Sequence, residues 1–233
     1  MKKFLVILVG ILILALSGSL VVAQGKPVKG NDRVQAPEIE MGIFIDYPVK
    51  DSHSRPPYDE TEDDYRIRAG IRWASPSATY WISANVTSSE ITAIQNAFQT
   101  WEDEPLSNMD YTYEGSIADT SAGPNQNWLN TVAWRNLGSN GPVAVTYYWY
   151  YPNFKQIVEF DIVLNSDLSW GSGAFDVQNV MTHEVGHTLI LFDLYAPKDG
   201  WLTMYGYTWP GDTLKQDLGN GDRLGIQELY PIL

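Results

Sequence analysis

The stretch Asp176-Val-Gln-Asn-Val-Met-Thr-His183-Glu184-Val-Gly-His187 carries the strongest structural and chemical signal in the chain. Its apolar residues recur at three- and four-residue intervals, which predicts a helix that is buried along one side. His183 and His187 are four residues apart, so both side chains can reach one metal ion. Glu184 flanks that site, where its carboxylate can hydrogen-bond a water molecule on the metal without being a ligand.

A third protein ligand must come from outside this stretch. The remaining histidine, His53, lies far upstream in a polar segment, whereas several acids follow the motif. On a continued helix Asp193 would point about 120° away from His187, so the helix must end before Asp193 can reach the ion. Asp199 would need a longer loop, and Glu228 lies near the C-terminus. The residues alone leave these three acids open.

The composition is that of a globular protein without cysteine chemistry. The chain has 233 residues, of which 44% are hydrophobic and 18% are charged, which suits one domain with short appendages. The absence of cysteine excludes disulfides, Cys-ligated zinc, iron–sulfur clusters and a cysteine nucleophile. The formal charge of −13 argues against nucleic-acid partners, because phosphate backbones repel an acidic protein.

The N-terminus has the pattern of an export signal. Two lysines precede an apolar run over 4–16, and Val21-Val22-Ala23 offers small residues for cleavage. We therefore predict a signal peptide at 1–23 and a secreted, extracellular protein. The alternative is an uncleaved membrane anchor facing outside, since residues 4–23 could span about 30 Å of hydrocarbon.

Residues 24–65 form a polar leader rich in proline and acid. This composition predicts a linker or an inhibitory propeptide. Ile43-Phe44-Ile45 is predicted to be a short strand that docks on the main body. Five acids occur within residues 59–64, and we expect this run to be solvated.

The body, residues 66–233, alternates between strand and helix patterns. A helix capped by Ser88 or Ser89 is predicted to end before Pro105. Runs rich in β-branched and aromatic residues predict strands at 79–83, 110–113, 131–134, 143–151 and 156–164. The last two strands are expected to form a hairpin, and alternating polar residues predict one wetter face on the last strand.

The stretch His183-Glu-Val-Gly-His187-Thr-Leu-Ile190-Leu-Phe-Asp193 resembles the extended zinc motif of the metzincin metalloproteases, HExxHxxGxxH/D, in its aspartate form. That family also has a methionine turn below the metal. Thr203-Met204-Tyr205-Gly206 lies where this turn is expected, in an order more like the matrixin branch. The stretch from Asp222 to Tyr230 is similar to the family's closing helix, so the resemblance spans about residues 66–233.

The resemblance implies an α+β domain with a mixed twisted sheet, a zinc-binding active-site helix, a Met-turn and a C-terminal helix. It implies one catalytic Zn²⁺ held by His183, His187 and Asp193, with Glu184 as the general base of an endopeptidase. The expected partner is a protein or peptide substrate. We expect no nucleic acid, no stable membrane insertion once the signal is cleaved, and a monomer. The strand over 157–164 would be the edge that pairs with an extended substrate.

The sequence departs from the family pattern at two positions. Ile190 occupies the place of a glycine whose φ is usually positive, where a β-branched residue is strained by about 1–2 kcal/mol. The turn is therefore expected to take a different shape. Asp193 replaces the commoner histidine, which lowers the net charge of the site and should make water on the metal less acidic. Without cysteine, any latency would need another ligand from the leader, such as an aspartate or His53.

Two other functions remain open at this level. A secreted, non-catalytic binding or surface domain could keep the fold, although such a domain has no chemical need for Glu184. A zincin outside the metzincins could use Asp199 or Glu228 as the third ligand. The acidic loops could bind Ca²⁺, but no EF-hand spacing is present and no calcium ligand is assigned.

Overall fold

The described part of the chain is built around one mixed β-sheet. The computed structural model describes residues 37–49, 58–68 and 70–232, so the predicted signal at 1–23 and His53 lie outside the described residues. The strands are β1 (Glu40–Asp46), β2 (Arg72–Trp73), β3 (Ser77–Ser83), β4 (Asp110–Ile117), β5 (Thr131–Arg135), β6 (Ala144–Tyr151) and β7 (Gln156–Asn165). The α-helices are α1 (Ser88–Glu102), α2 (Val177–Thr188) and α3 (Asn220–Leu229).

The strand order is β1-β6-β7-β5-β3-β4, and β2 pairs with the start of β7. β3, β4, β5 and β7 run parallel to one another. β6 runs antiparallel to β7, and β1 runs antiparallel to β6. The mixed sheet and the three helices confirm the predicted α+β class. Of the helices in the described ranges, none is long and apolar enough to cross a membrane.

β7 lies inside the sheet, and two predictions about it are wrong. It pairs with β6 on one side and with β5 on the other, so the stretch 157–164 cannot be a substrate-binding edge. Its predicted wetter face is also buried, because Glu159 and Asp161 have no exposed surface. The loop before β5 covers this face. The backbone N–H of Asn127 donates to Glu159 at 2.8 Å, and that of Asn125 donates to Asp161 at 2.9 Å.

The two long helices pack on each other, with α2 also against β6. α1 begins one residue earlier than predicted, because Thr87 is its N-cap and forms a capping box with Glu90. Trp101 of α1 donates its indole N–H to the carbonyl of Thr182 at 2.8 Å. The prediction that α2 is buried on one side only is wrong. Every residue of α2 except Gln178 is buried, because α1 covers a second side.

Strand β1 belongs to the leader and is paired along its whole length. Its register runs from Glu40 opposite Tyr150 to Asp46 opposite Ala144, which confirms the docked strand predicted at 43–45. The compact unit that contains the sheet begins at Pro37. β1 therefore covers the edge that β6 would otherwise expose.

The acidic run of the leader is only partly solvated. Asp59, Glu60 and Asp63 are exposed as expected, but Glu62 is buried. Lys198 of the body donates to Glu62 at 2.8 Å and also pairs with Asp64. The expectation of full solvation is wrong for Glu62, because a lysine distant in sequence pairs with its carboxylate.

Candidate metal centre

Both histidines of α2 face the same carboxylate. Nε2 of His183 lies 3.1 Å from Oδ1 of Asp193, and Nε2 of His187 lies 3.6 Å from the same oxygen. The three ligand atoms all lie within 4.8 Å of one another. In a tetrahedral zinc site with bonds of about 2.0–2.1 Å, ligand atoms are about 3.3 Å apart. The two measured distances are therefore close to the ligand spacing of a tetrahedral metal site.

The hydrogen bonds of the two imidazoles direct their Nε2 atoms toward Asp193. Nδ1 of His183 lies 2.8 Å from the carbonyl oxygen of Thr203, and Nδ1 of His187 lies 2.7 Å from that of Leu191. A carbonyl oxygen only accepts, so each neutral ring carries its proton on Nδ1 and a lone pair on Nε2. Both Nε2 atoms are buried without a hydrogen-bond partner among the described residues. Two lone pairs facing a carboxylate repel it unless a cation lies between them, so the donor set fits a metal ion.

The turn after α2 places Asp193. It has the conformation that a glycine would give, although the residue at position 190 is an isoleucine. Ile190 has φ of +65°, the left-handed conformation that a glycine would favour. The N–H of Ile190 bonds the carbonyl of His187 at 3.0 Å, and that of Leu191 bonds the carbonyl of Gly186 at 3.2 Å. This is a Schellman motif. The expectation of a different turn is wrong, because the fully buried side chain of Ile190 is held in place by packing.

A second turn carries Thr203 and Met204 beneath the helix. Both backbone N–H groups donate to the buried carboxylate of Asp222, at 2.6 and 3.0 Å. This holds the Thr203 carbonyl against His183. Met204 packs against Gly186, where an added Cβ would lie 2.3 Å from the sulfur. A methionine therefore lies below the histidines, at the position that the sequence predicted.

Glu184 lies beside the histidines with one oxygen free. Its Oε2 accepts a hydrogen bond from the Thr146 hydroxyl on β6 at 2.5 Å. Its Oε1 is buried and has no partner among the described residues. Burial raises the pKa of Glu184 to about 8, and a bound dication would lower it by favouring the carboxylate. The free oxygen can accept a proton from a molecule bound beside it.

Burial and charge shift the pKa values of His183, His187 and Asp193 in different directions. Burial lowers the pKa of His183, and the nearby Lys215 ammonium lowers it further, which favours the neutral ring that a metal needs. For His187, the nearby carboxylate of Asp193 outweighs the effect of burial and raises the pKa. The two histidines in turn outweigh burial at Asp193 and hold its pKa well below the ordinary value. Asp193 is therefore an anion at neutral pH.

Asp199 and Glu228, the alternative candidates for the third ligand, contact residues outside the histidine pair. Asp199 accepts from the backbone N–H of Ala196 at 3.0 Å and groups with Glu62 and Asp64 around the ammonium of Lys198. The ammonium of Lys198 therefore already contacts all three acids of that cluster. Glu228 accepts from the hydroxyl of Tyr65. Among the described residues, only Asp193 joins the two histidines.

The leader lies over this centre. The ring of Phe44 on β1 stacks on the imidazole of His187, with centroids 4.0 Å apart and planes 1° apart. Gly42 allows the Tyr148 ring of β6 to lie against β1, since an added Cβ would lie 2.1 Å from that ring. Asp46 ends the strand with a buried carboxylate that has no hydrogen-bond partner among the described residues. The centre is thus covered by the chain's own N-terminal segment.

No family model and no curated protein matches the chain. The site residues that the sequence argument missed are Phe44, Thr146, Lys215 and Asp222. Three of them have no local pattern that marks them, because they reach the centre from distant elements. Asp222 lies in the stretch compared with the closing helix, but nothing in the sequence indicates that its carboxylate supports Met204.

Proposed function

We propose that the protein is a secreted zinc-dependent endopeptidase of the metzincin type, with His183, His187 and Asp193 as zinc ligands. The observation that supports it most strongly is the convergence of two unpartnered Nε2 atoms and one carboxylate oxygen, with an unpartnered oxygen of Glu184 beside them. A non-catalytic binding domain gives no reason to keep that Glu184 oxygen buried and unpaired, since such a group costs stability.

In peptide hydrolysis, a bound ion and the side chains of the protein would have different roles. A zinc ion in this site would polarise the scissile carbonyl and activate a water molecule for attack. Glu184 accepts the proton of the attacking water on Oε1 and passes it to the leaving amine, while Thr146 holds Oε2 in place. The Nδ1 hydrogen bonds to Thr203 and Leu191 keep the imidazoles oriented through the reaction.

The leader makes the described state a latent one in this proposal. Substrate would need the edge of β6 and the space above His187, and β1 occupies both. An extended peptide can replace β1 on β6 by strand addition once the leader is displaced. Assays should therefore be run before and after limited proteolysis of the leader.

The direct test is a casein digestion assay combined with metal analysis. We expect one zinc per chain, loss of digestion with a chelator, and recovery when zinc is returned. Glu184→Gln should keep the zinc but lower turnover by at least ~100-fold, because it removes the general base. Glu228→Gln is the matched control, the same chemical change at the rejected ligand, and should retain activity and zinc.

Three results would count against the proposal. Full activity in Glu184→Gln would place the base elsewhere. Loss of zinc in Glu184→Gln as complete as in His183→Ala would make Glu184 a ligand. Zinc binding without digestion of any substrate, with the leader removed, would favour the non-catalytic domain.

A further inference from the structure

The ring of Phe44 in the leader is enclosed by three rings of the body. It stacks on the imidazole of His187, with centroids 4.0 Å apart, and lies 5.4 Å from the Tyr148 ring at an angle of 25° between the planes. The Phe192 ring meets it edge-on, at 5.1 Å and 83°. Phe44 is only 7% exposed as a result. We call the rings of Tyr148, His187 and Phe192 the aromatic box.

The body holds the aromatic box without help from the leader. Tyr148 lies on β6, which is paired with β7 on its other side. The backbone N–H of Phe192 donates to the carbonyl of Arg66 at 2.7 Å, and the Arg66 guanidinium lies over the Phe192 ring, 5.4 Å from its centroid. The carbonyl of Leu191 orients His187. The aromatic box should therefore persist when β1 is displaced.

The aromatic box lies at a defined place relative to the candidate general base. Phe44 is paired with Thr146 of β6, and Thr146 donates its hydroxyl to Glu184. The neighbours Ile43 and Ile45 point to the other side of the sheet and are 44% and 42% exposed, since side chains alternate along a strand. A peptide that replaced β1 in the same register would direct only the side chain opposite Thr146 into the box.

We propose that the aromatic box is a binding subsite that selects peptides with an aromatic residue opposite Thr146 of β6. The inference rests on the proposed peptidase function. In the latent state Phe44 fills the box, and in the open state an aromatic ring of the substrate fills it. A flat ring can stack on His187 and meet Phe192 edge-on at the same time, the arrangements that aromatic pairs prefer. A branched aliphatic side chain of similar size cannot stack in this way.

Peptides based on the leader sequence Glu40–Val49 test this selection. They carry Phe, Leu or Ala at the position of Phe44, and Tyr47→Ser makes the tested residue the only aromatic one. They are offered to the full-length, zinc-loaded Phe44→Ala protein, whose own leader leaves the aromatic box empty. We expect kcat/KM for the Phe peptide to exceed that for the Leu peptide by at least about 5-fold and that for the Ala peptide by at least about 30-fold.

Variants of the aromatic box locate the selection. In the Phe44→Ala background, Tyr148→Leu or Phe192→Leu should reduce the Phe-to-Leu ratio to about 2-fold or less, because each removes one ring contact. Phe154→Leu makes the same change at a phenylalanine that is 67% exposed between β6 and β7, and should keep the ratio. The ratio compares two peptides on the same enzyme, so a loss of zinc or of active protein does not change it. If one box variant does not fold, the other decides.

A second readout needs no turnover. In full-length protein, Phe44→Ala should speed hydrogen exchange of the β1 amides by at least about 10-fold, because it removes the buried ring that fixes β1 to the body. Ile45→Ala, a truncation on the exposed side of the same strand, should speed it by about 3-fold or less. In the Tyr148→Leu background the effect of Phe44→Ala should be clearly smaller.

The outcomes separate this inference from the proposed function. Equal kcat/KM for the three peptides, or a Phe-to-Leu ratio that survives in both box variants, would overturn the selection and leave the peptidase intact. Faster exchange of β1 without any peptide preference would limit the aromatic box to holding the leader, which also overturns the selection. Failure to cleave any protein or peptide would refute the peptidase, and the substrate selection with it, whatever the exchange rates show.

Discussion

Two turns hold the two histidines, and they are built in different ways. The turn at Leu189–Asp193 orients His187 through the carbonyl of Leu191 and is closed by its own backbone hydrogen bonds. The turn at Thr203–Met204 orients His183 and is held by a carboxylate from α3, that of Asp222. The first turn is stabilised by neighbouring residues and holds Ile190 in a strained backbone conformation. The second turn is stabilised by a charged side chain that is distant in sequence.

The difference shows which parts of the site tolerate change. A local turn depends on the conformational preference and packing of a few neighbouring residues. A turn held by a buried acid depends on one side chain whose loss leaves several N–H groups without acceptors. The two turns should therefore respond differently to substitution.

The largest effect is expected at Ile190. Ile190→Gly and Ile190→Ala both remove a fully buried side chain, so each should lower the free energy of unfolding by about 2–5 kcal/mol. Glycine should be the better of the two by about 1 kcal/mol, because only glycine adopts a φ of +65° without strain. Denaturant unfolding of both variants measures this. A glycine variant more stable than the wild type would mean that strain, not packing, dominates this turn.

A smaller effect is expected at Asp222. Asp222→Asn should lower the free energy of unfolding by about 1–3 kcal/mol, because the amide cannot accept from Thr203, Met204 and Gly219 as the carboxylate does. Zinc affinity should fall by about 10-fold through the loosened contact to His183. Calorimetry and zinc titration measure the two effects.

Glu184→Gln is the matched control, since it makes the same acid-to-amide change at a buried residue of α2. One oxygen of Glu184 has no hydrogen-bond partner among the described residues. The free energy of unfolding of the Glu184→Gln variant should therefore stay close to that of the wild type. Equal losses in Asp222→Asn and Glu184→Gln would contradict the distinction between a supporting acid and a reactive one.

The sequence predicted the parts of this architecture that depend on local pattern. The helix with His183 and His187 and most strands of the sheet follow from spacing and propensity, whereas the position of Met204 was implied only by the family resemblance. The sequence could not predict that β7 lies inside the sheet. The polar residues Glu159 and Asp161 indicated an exposed face, but a loop covers them and donates backbone hydrogen bonds to both. It also could not reveal Lys215 or Asp222, whose roles arise only when distant elements meet.

Ile190 teaches a related lesson. A rule of local conformation predicted that a β-branched residue would change the turn, and the rule failed where a fully buried side chain outweighs a strain of about 1–2 kcal/mol. Local preferences therefore decide structure only where tertiary packing does not oppose them.

Zinc titration of two aspartate variants tests whether Asp193 completes a three-ligand zinc site with His183 and His187. Asp193→Asn removes a carboxylate that lies 3.1 and 3.6 Å from the two Nε2 atoms, whereas Asp199→Asn makes the same change in a carboxylate paired elsewhere. We predict that Asp193→Asn weakens zinc binding by more than about 100-fold, beyond the range for residues outside the ligand set, and that Asp199→Asn binds zinc like the wild type. Wild-type affinity in Asp193→Asn, or its loss in Asp199→Asn, would contradict the assignment and the metzincin interpretation with it.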